Sequence, residues 1–267
     1  MTVSYVMEDP REAERLMRKV DSDAWVAEYL PAVTRPGAAV LDVGAGPGHL
    51  AAAVARRWPQ ACVTAFDGNP ERLALGADLP GGEAVRRRSG DACALSFPDG
   101  SFDLVYSRLM LQYVAERQRV VAEMARVTRP GGSVVLFDLD GQLVWHDPVD
   151  AGMRSRLDRV VSALAPTGFD PHTGRALRRL ARAAGLTDVR VRVEPYHLIA
   201  GRVGPVERAQ WALKLDVARP LLERAFGCAE EAERAVESFL CYLDDEDTLT
   251  YSVAFTVSAK RPEDKGR

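Results

Sequence analysis

The sequence of 267 residues predicts an α/β fold in which a doubly wound, mostly parallel sheet carries helices on both faces. Apolar strands alternate with helices through the first half of the chain, as in successive strand–helix–strand units. A glycine-rich turn, VLDVGAGPGHLA at residues 40–51, joins the first strand directly to a helix. Both observations are typical of a sheet that binds a ligand beside the carboxyl ends of its strands.

The elements of the first half are separated by residues that start or stop helices. The helix after Gly48 ends before Pro59, since proline cannot continue a helix. Asn69 and Pro70 form an N-cap followed by proline at the first helical position. The helix before the fifth strand ends near Val127. The predicted strands of this half are residues 38–43, 62–66, 85–89, 102–107 and 133–138.

The second half has a different pattern. Helical spacing of apolar residues returns over 153–164 and 177–184, and Gly185 follows the second helix as a C′ glycine. Residues 187–193 and 249–257 alternate between apolar and polar, as half-exposed strands do.

A long, mostly helical segment lies between those two strands. An insertion of that length between neighbouring strands usually covers something. We therefore expect a single domain over residues 1–267, with N-terminal helices (1–37) and a helical insertion (195–247) forming a lid over the site.

Composition limits the possible partners. The formal net charge of −3 gives no electrostatic reason to expect nucleic acid or an anionic membrane as a partner. No apolar run approaches the roughly 20 residues that span a bilayer, and the first residues lack the apolar core of a signal peptide. Cysteines 62, 93, 228 and 241 lack metal-ligand spacing, which favours reduced thiols in a cytoplasmic protein without a metal.

The glycine turn by itself leaves the ligand open. A nicotinamide fingerprint needs G-x-G-x-x-G, whereas here Gly48 comes one residue early and His49 fills the place of that glycine. No G-K-[ST] follows, so a P-loop is excluded. Asp67 at the end of the second strand suits a ribose in either kind of site. Asp91 favours a different cofactor, because an acid there can accept from an adenine amino group.

Four segments in order carry a resemblance to a known family. They are VLDVGAGPG, FDGNP, GDACALSFPDGSFDLVYSRLMLQYV and RVTRPGGSVVL, all within residues 38–140. Together they resemble the class I S-adenosylmethionine-dependent methyltransferases, and within them the ubiquinone/menaquinone-biosynthesis-like group (methyltransferase type 11). The resemblance implies a Rossmann-like sheet of seven strands with the last antiparallel, and S-adenosylmethionine as the cofactor.

The resemblance also implies positions for the cofactor. The glycine turn would line its methionine portion, Asp67 would hold the ribose, and Asp91 would face the adenine. Arg15 would reach the cofactor carboxylate, although a solvent-exposed helix face explains this arginine equally well. The cofactor-binding residues predicted in this way are Arg15, Asp42, Gly44, Ala45, Gly46, Gly48, Asp67, Gly68, Asn69, Asp91, Ala92, Ser107, Arg108 and Leu109.

Two residues are candidates for catalysis. His146 follows the fifth strand, where it could take a proton from the methyl acceptor, although a histidine bonded to its own loop is the better supported alternative. Tyr113 occupies a position where relatives often carry histidine, so no histidine base is available there.

The resulting prediction is transfer of a methyl group to a small organic acceptor, for which a secondary metabolite is one candidate. Two alternatives remain at this point. A protein of the same fold could bind S-adenosylmethionine for chemistry other than methyl transfer, or the chain could be a nicotinamide-dependent oxidoreductase. Neither the acceptor nor the oligomeric state follows from the sequence.

Overall fold

The computed structural model describes residues 21–263, which fold around one sheet with helices on both faces. A short helix, α1 (Ser22–Tyr29), comes first and is capped by the Asp21 side chain, which accepts from the amide of Ala24. The first half then alternates as the sequence predicts: β1 (Ala39–Val43), α2 (His49–Arg57), β2 (Cys62–Asp67), α3 (Pro70–Ala74), β3 (Arg86–Ser89), β4 (Phe102–Arg108), α4 (Arg117–Val127) and β5 (Thr128–Asp140).

The second half contains more helix. Its elements are β6 (His146–Asp147), α5 (Ala151–Leu164), α6 (Thr173–Ala183), β7 (Thr187–Ala200), α7 (Pro205–Val217), α8 (Arg219–Phe226), α9 (Ala229–Leu243) and β8 (Leu249–Lys260). The predicted strand over 187–193 is longer in the structure, because β7 pairs with β8 along most of its length, as far as Ala200 opposite Leu249. The predicted insertion thus begins as strand and becomes helical at Pro205.

The strands lie in the order β3-β2-β1-β4-β5-β8, with β7 on the outer edge of β8. Strands β1 to β5 pair in parallel, and β8 pairs antiparallel with both β5 and β7. The antiparallel last strand agrees with the prediction. The described residues form eight strands rather than seven, because the two-residue β6 adds a short pairing to the first residues of β8.

Two layers of core cover the two faces of this sheet. Val40, Val63 and Leu104 belong to one buried cluster, whereas their neighbours Leu41 and Val105 belong to the other. This separation follows from the alternation of side chains along a strand. Because both faces are covered, the carboxyl ends of the strands are the open part of the sheet.

Strand β3 is an edge strand and carries the run Arg86, Arg87 and Arg88. The edge position explains the basic run, because charges on an edge strand oppose pairing with another chain. The guanidinium of Arg87 donates hydrogen bonds to the carbonyls of Leu73, Val85 and Gly82.

Candidate cofactor and acceptor site

A cavity of about 1000 Å³ lies at the carboxyl ends of the parallel strands. It is the place where open α/β sheets generally bind ligands. The structure brings most of the predicted site residues to its wall, namely Asp42, Gly44, Ala45, Gly46, Asp67, Gly68, Asn69, Asp91, Ala92, Arg108, Leu109 and Tyr113. Gly48, Ser107 and His146 are not part of the wall, and Arg15 lies outside the described residues.

The glycine turn needs glycine for two separate reasons. Gly44, Gly46 and Gly48 all have left-handed φ values, of 75°, 57° and 78°. At Gly44 a Cβ would also lie only 2.3 Å from Cγ of Met110, so the backbone can pass that side chain only without one. Gly48 shapes the start of α2 as its N-cap and does not line the cavity.

Asp67 connects the turn to the second strand. Its carboxylate accepts hydrogen bonds from the amides of Gly46 (2.8 Å) and Asn69 (2.9 Å), and the residue is 9% exposed. Each carboxylate oxygen still has a lone pair, so the same group can accept from a ligand hydroxyl. The side chain is therefore held in place on the cavity wall before any ligand binds.

Asp91 lies at the other side of the cavity, beyond β3. One oxygen, Oδ1, accepts from the amide of Cys93 at 2.8 Å, and the residue as a whole is exposed. Ala92 and Gly90 line the cavity beside it. The cavity therefore runs across the ends of β3, β2, β1 and β4, in the order of the sheet.

The end of the cavity beside β1 and β4 is the most strongly buried polar region of the site. Burial raises the pKa of the Asp42 carboxyl to about 7, with the negative charge of Asp67 acting in the same direction. Burial, together with the nearby positive charge of Arg108, lowers the pKa of His49 to about 4. At neutral pH this imidazole is therefore neutral, with one nitrogen as donor and the other as acceptor.

Comparison with known proteins identifies the domain. Residues 41–136 match a family profile described as a methyltransferase domain. An uncharacterized methyltransferase of Mycobacterium sp. (strain JLS) is 38% identical over 131 residues, which are 48% of this chain and 49% of that protein. Residues 41–136 therefore belong to a methyltransferase domain.

Two further proteins are similar to parts of this chain. The ubiquinone/menaquinone biosynthesis C-methyltransferase UbiE of Ralstonia pickettii is 38% identical over 118 residues, 43% of this chain and 48% of that protein. The chain thus spans about half the length of the curated relatives it matches. The structure of the (4+2)-cyclase SpnF is 22% identical with a TM-score of 0.56, and the match covers 91% of this chain and 80% of that chain. At that identity the likeness shows only the Rossmann-like fold.

The structure places His146 apart from the cavity. This residue is 8% exposed and packs edge-on against Phe239 and Tyr242, away from the cavity wall of the methyltransferase domain. Its Nδ1 shares a hydrogen bond with Oγ1 of Thr250 at 2.9 Å. A general base must reach the acceptor, and a side chain enclosed in this way joins β6 and α9 to β8 instead.

Tyr113 and His197 line the cavity, whereas His172 does not. Tyr113 lines the cavity and packs against Phe169, with ring centroids 5.5 Å apart. His172 lies beside Asp140 with Nδ1 at 3.1 Å from Oδ1, and it does not line the cavity. His197 does line it, and its Nδ1 bonds with Oγ of Ser252 at 2.9 Å.

Sequence reasoning missed three polar residues of the site. His49 entered the argument only as a residue that is not glycine, and Gln112 and Gln142 did not enter it. All three line the cavity, and both glutamines carry a buried Oε1 without a hydrogen-bond partner among the described residues. Each glutamine follows a strand, β4 or β5, at the edge where the site is expected, and that position was the signal that could have found them.

Within residues 21–263 no helix is long and apolar enough to cross a membrane. The same part of the chain contains no group of three or more His, Cys, Asp or Glu side chains placed to hold a metal ion.

Proposed function

We propose that the protein transfers the methyl group of S-adenosylmethionine to a small, largely apolar organic acceptor. The observation that carries this proposal is a single cavity whose wall includes both the glycine turn and a group of apolar side chains from the second half of the chain. A cofactor and an acceptor could therefore bind next to each other in the same cavity.

The residues of the first part fit the cofactor. The turn at Gly44 leaves no side chain between the main chain and a ligand, and the Asp67 carboxylate is held ready for the ribose hydroxyls. Asp91, Gly68, Asn69 and Ala92 lie together at the side where the adenine would bind. S-adenosylmethionine supplies, when bound, a methyl group that its sulfonium has already activated.

The second part of the cavity supports an apolar acceptor. Its wall is formed by side chains from the segment after β5, from α5 and the loop that follows it, and from α7 and α8. These side chains are Leu143, Val160, Leu164, Phe169, Leu215, Leu221 and Leu222. Burial of such a surface favours an apolar ligand by roughly 25 cal/mol per Å² of apolar area. The contribution to rate would come mainly from alignment of the two reactants, for which no fixed base is required.

Two buried amide oxygens favour an acceptor that carries a hydrogen-bond donor. The Oε1 atoms of Gln112 and Gln142 are buried and have no partner among the described residues. Buried polar atoms are nearly always hydrogen-bonded, so these oxygens favour an acceptor with hydroxyl or N–H groups. Tyr113, on the same wall, would orient the acceptor rather than act as a histidine-type base.

The proposal includes a lid. Helix α7 contributes Trp211 and Lys214 to the cavity wall, α8 contributes Leu221, and Ala218 lines it between the two helices, which supports a covering role for the 195–247 segment. A lid would exclude water from the transfer step. The N-terminal part of the proposed lid is residues 1–37, and its first 20 residues lie outside the described part of the chain.

The proposal also includes a cytoplasmic location and small-molecule partners rather than nucleic acid. All four cysteines are unpaired, three of them on the surface, which is usual in a reducing compartment. The net charge of −3 supports the absence of a nucleic-acid partner.

The first test is ligand selectivity. S-adenosylhomocysteine should raise the melting temperature, because a ligand that binds only the native state stabilises it by mass action, and NADH should not. Stabilisation by NADH alone would reject the methyltransferase site in favour of an oxidoreductase.

The second test is product analysis. The protein, S-adenosylmethionine and a panel of apolar phenols, hydroquinones and amines would be incubated and analysed by mass spectrometry, with matched compounds that lack the hydroxyl or N–H group as controls. A methylated product together with S-adenosylhomocysteine is expected only from compounds with a donor group. Consumption of an acceptor without formation of S-adenosylhomocysteine would favour the alternative of non-methyl chemistry.

A further inference from the structure

Gln112 and Gln142 are buried glutamines whose side-chain oxygens have no partner in the described part of the chain. Gln112 is 2% exposed and Gln142 is 9% exposed, and both line the cavity. The Oε1 atom of each is buried and accepts no hydrogen bond from residues 21–263. Such atoms are rare in folded proteins, because an unpaired buried acceptor is destabilising. Two of them on one wall indicate two places where a bound ligand donates.

Main-chain hydrogen bonds hold the two glutamines near each other. The carbonyl of Gln112 accepts from the amide of Asp170 at 2.8 Å. The amide of Gly141, the residue before Gln142, donates to the carbonyl of Pro171 at 2.8 Å. Because Asp170 and Pro171 are neighbours in the chain, one short segment ties the two glutamine-bearing segments together. A single small ligand can therefore contact both side chains.

The two glutamines differ in their distance from the cofactor side. Gln112 follows β4 and is two residues from Met110, whose side chain lies against Gly44 of the glycine turn. Gln142 follows β5, the next strand in the sheet and the one further from the turn. Neighbouring strands are about 4.8 Å apart, a distance that one aromatic ring spans. Gln112 is therefore placed to face the methyl-accepting atom, and Gln142 the far end of the acceptor.

The charges on the wall favour hydroxyl groups over amines as the donors. Arg108 and Lys214 both line the cavity, and the sulfonium of the cofactor is positive as well. These charges would repel a cationic amine, or the ammonium that methylation of an amine produces. Glu116, the acid of the wall that follows Gln112, is exposed and lies 3.8 Å from Arg119. A neutral hydroxyl donates to a glutamine oxygen without this repulsion.

We propose that Gln112 and Gln142 bind the two hydroxyl groups of a small apolar diol, and that this pair limits transfer to one methyl group per acceptor. This inference rests on the proposed function and narrows its acceptor to a diol. Gln112 accepts from the hydroxyl that is methylated, and Gln142 accepts from the other. The hydroxyl oxygen forms its bond to the methyl carbon as the carbon–sulfur bond breaks with its electron pair on sulfur, and the hydroxyl proton passes to water.

The limit to one methyl group follows from the position of Gln142. A monomethylated diol can react again only with its free hydroxyl at Gln112 and its methyl ether at Gln142. The ether oxygen has no hydrogen to donate, so Oε1 of Gln142 is left buried and unpaired. This loss corresponds to roughly 10- to 100-fold in affinity, and the second methylation should be slower by about that factor.

The test compares diols with their singly blocked forms. Catechol, resorcinol and hydroquinone, each with its monomethyl ether and the corresponding diamine, would be assayed with S-adenosylmethionine by mass spectrometry to obtain kcat/KM. The proteins are the wild type, Gln112→Met, Gln142→Met and the matched control Gln118→Met. Gln118 lies outside the cavity wall, and its amide donates to the carbonyl of Leu180 at 3.4 Å.

The expected result is a diol preference that depends on Gln142. Wild type should methylate its best diol about 10- to 100-fold more efficiently than the monomethyl ether of that diol. Gln142→Met should bring the two values of kcat/KM within about threefold of each other. Gln112→Met should lower both values by about tenfold or more. Gln118→Met should keep the preference of the wild type.

Unfolding of the ligand-free protein gives a readout that does not depend on an acceptor. Gln112→Met and Gln142→Met each remove a buried unpaired oxygen, so their urea midpoints should equal or exceed that of wild type. Gln118→Met loses a hydrogen bond and should have a lower midpoint. Lower midpoints for the two cavity variants would give their amides a structural role and overturn the inference.

Four results with the acceptors would also overturn it. These are equal kcat/KM for a diol and its monomethyl ether in wild type, a diol preference that persists in Gln142→Met, faster methylation of the diamines than of the diols, and binding of S-adenosylhomocysteine without methylation of any diol. Failure of the wild type to bind S-adenosylhomocysteine would instead reject the proposed function itself.

Discussion

The cofactor side and the acceptor side of the cavity are built in different ways. On the cofactor side, α2 buries six consecutive residues, Leu50 to Ala55, between the sheet and its neighbours. On the acceptor side, α7 is longer but buries only Val217, and α9 buries only Ala232 and Leu243. The first region is part of the main core, whereas the second consists of small clusters in which helices pack mainly on one another.

This difference in packing separates the side that binds the cofactor from the side whose wall can vary with the acceptor. A cofactor common to a whole family needs a rigid turn, and this turn leads directly into α2, whose buried residues belong to the main core. An acceptor site bounded by thinly packed helices can change its wall by substitutions that cost the core little. It can also open locally at a lower free energy, which entry and release of a ligand require.

The largest expected effect comes from the cofactor side. Gly44→Ala should abolish S-adenosylhomocysteine binding and lower the free energy of unfolding, because its Cβ would meet Met110 at 2.3 Å and at 2.7 Å. Gly46→Ala is the matched control: it has the same left-handed backbone cost of about 1–2 kcal/mol, but its nearest neighbour is 3.7 Å away. Calorimetry and urea unfolding would measure both. Equal effects would mean that the close approach at Gly44 is unimportant.

The second prediction concerns Asp42, which is 2% exposed. Its pKa is about 7 in the folded protein and 3.8 as a free side chain, so between these values the folded state binds a proton that the unfolded state has lost. Its contribution to stability therefore falls as pH rises from about 4 to 7. Asp42→Asn removes this loss, so the stability of the variant relative to wild type should rise by about 2–4 kcal/mol over that range.

Urea unfolding at about pH 4.5 and at about pH 8 would measure the difference in the free energy of unfolding between Asp42→Asn and wild type. Histidines with lowered pKa values, His49 and His146, titrate in both proteins and so largely cancel in the difference. A difference that stays constant with pH would show that Asp42 is ionised in the folded protein throughout.

The third prediction compares local stability directly. Amide hydrogens of α7 and α9 should exchange at least about tenfold faster than those of α2, which corresponds to about 1.4 kcal/mol in opening free energy. Native-state hydrogen exchange read by mass spectrometry resolves the two regions. Comparable protection in all three helices would contradict the proposed difference in local stability between the cofactor side and the acceptor side.

The smallest effect on turnover is expected from His146→Ala. Because this side chain lies away from the cavity, turnover at saturating substrate should stay within about threefold of wild type, whereas a base contributes about 100-fold or more. Loss of its bond to Thr250 should still lower the free energy of unfolding by about 1–3 kcal/mol. Tyr113→Phe, on the cavity wall, is the comparison for turnover. A hundredfold loss in His146→Ala would restore it as a base.

Most of the fold could be predicted because its signals are local. The alternation of elements, the N-cap at Asn69 and the stop at Pro59 all act within a few residues of the chain. The extension of β7 to Ala200 was not predictable in this way, because it depends on pairing with β8, about 50 residues further along. The two-residue β6 likewise exists only because β8 passes beside it.

For the site, the same division holds. The sequence alone determined the glycine turn and the acids that follow the strands, since each of these features is specified within a short segment of the chain. Only the tertiary structure decided that His146 is enclosed by Phe239 and Tyr242, that Gln112 and Gln142 line one cavity, and that Arg108 lies between Trp25 and Phe137. The physical reason is that burial and pairing depend on residues distant in the chain, and these neighbours determine whether a polar group is satisfied or is left to bind a ligand.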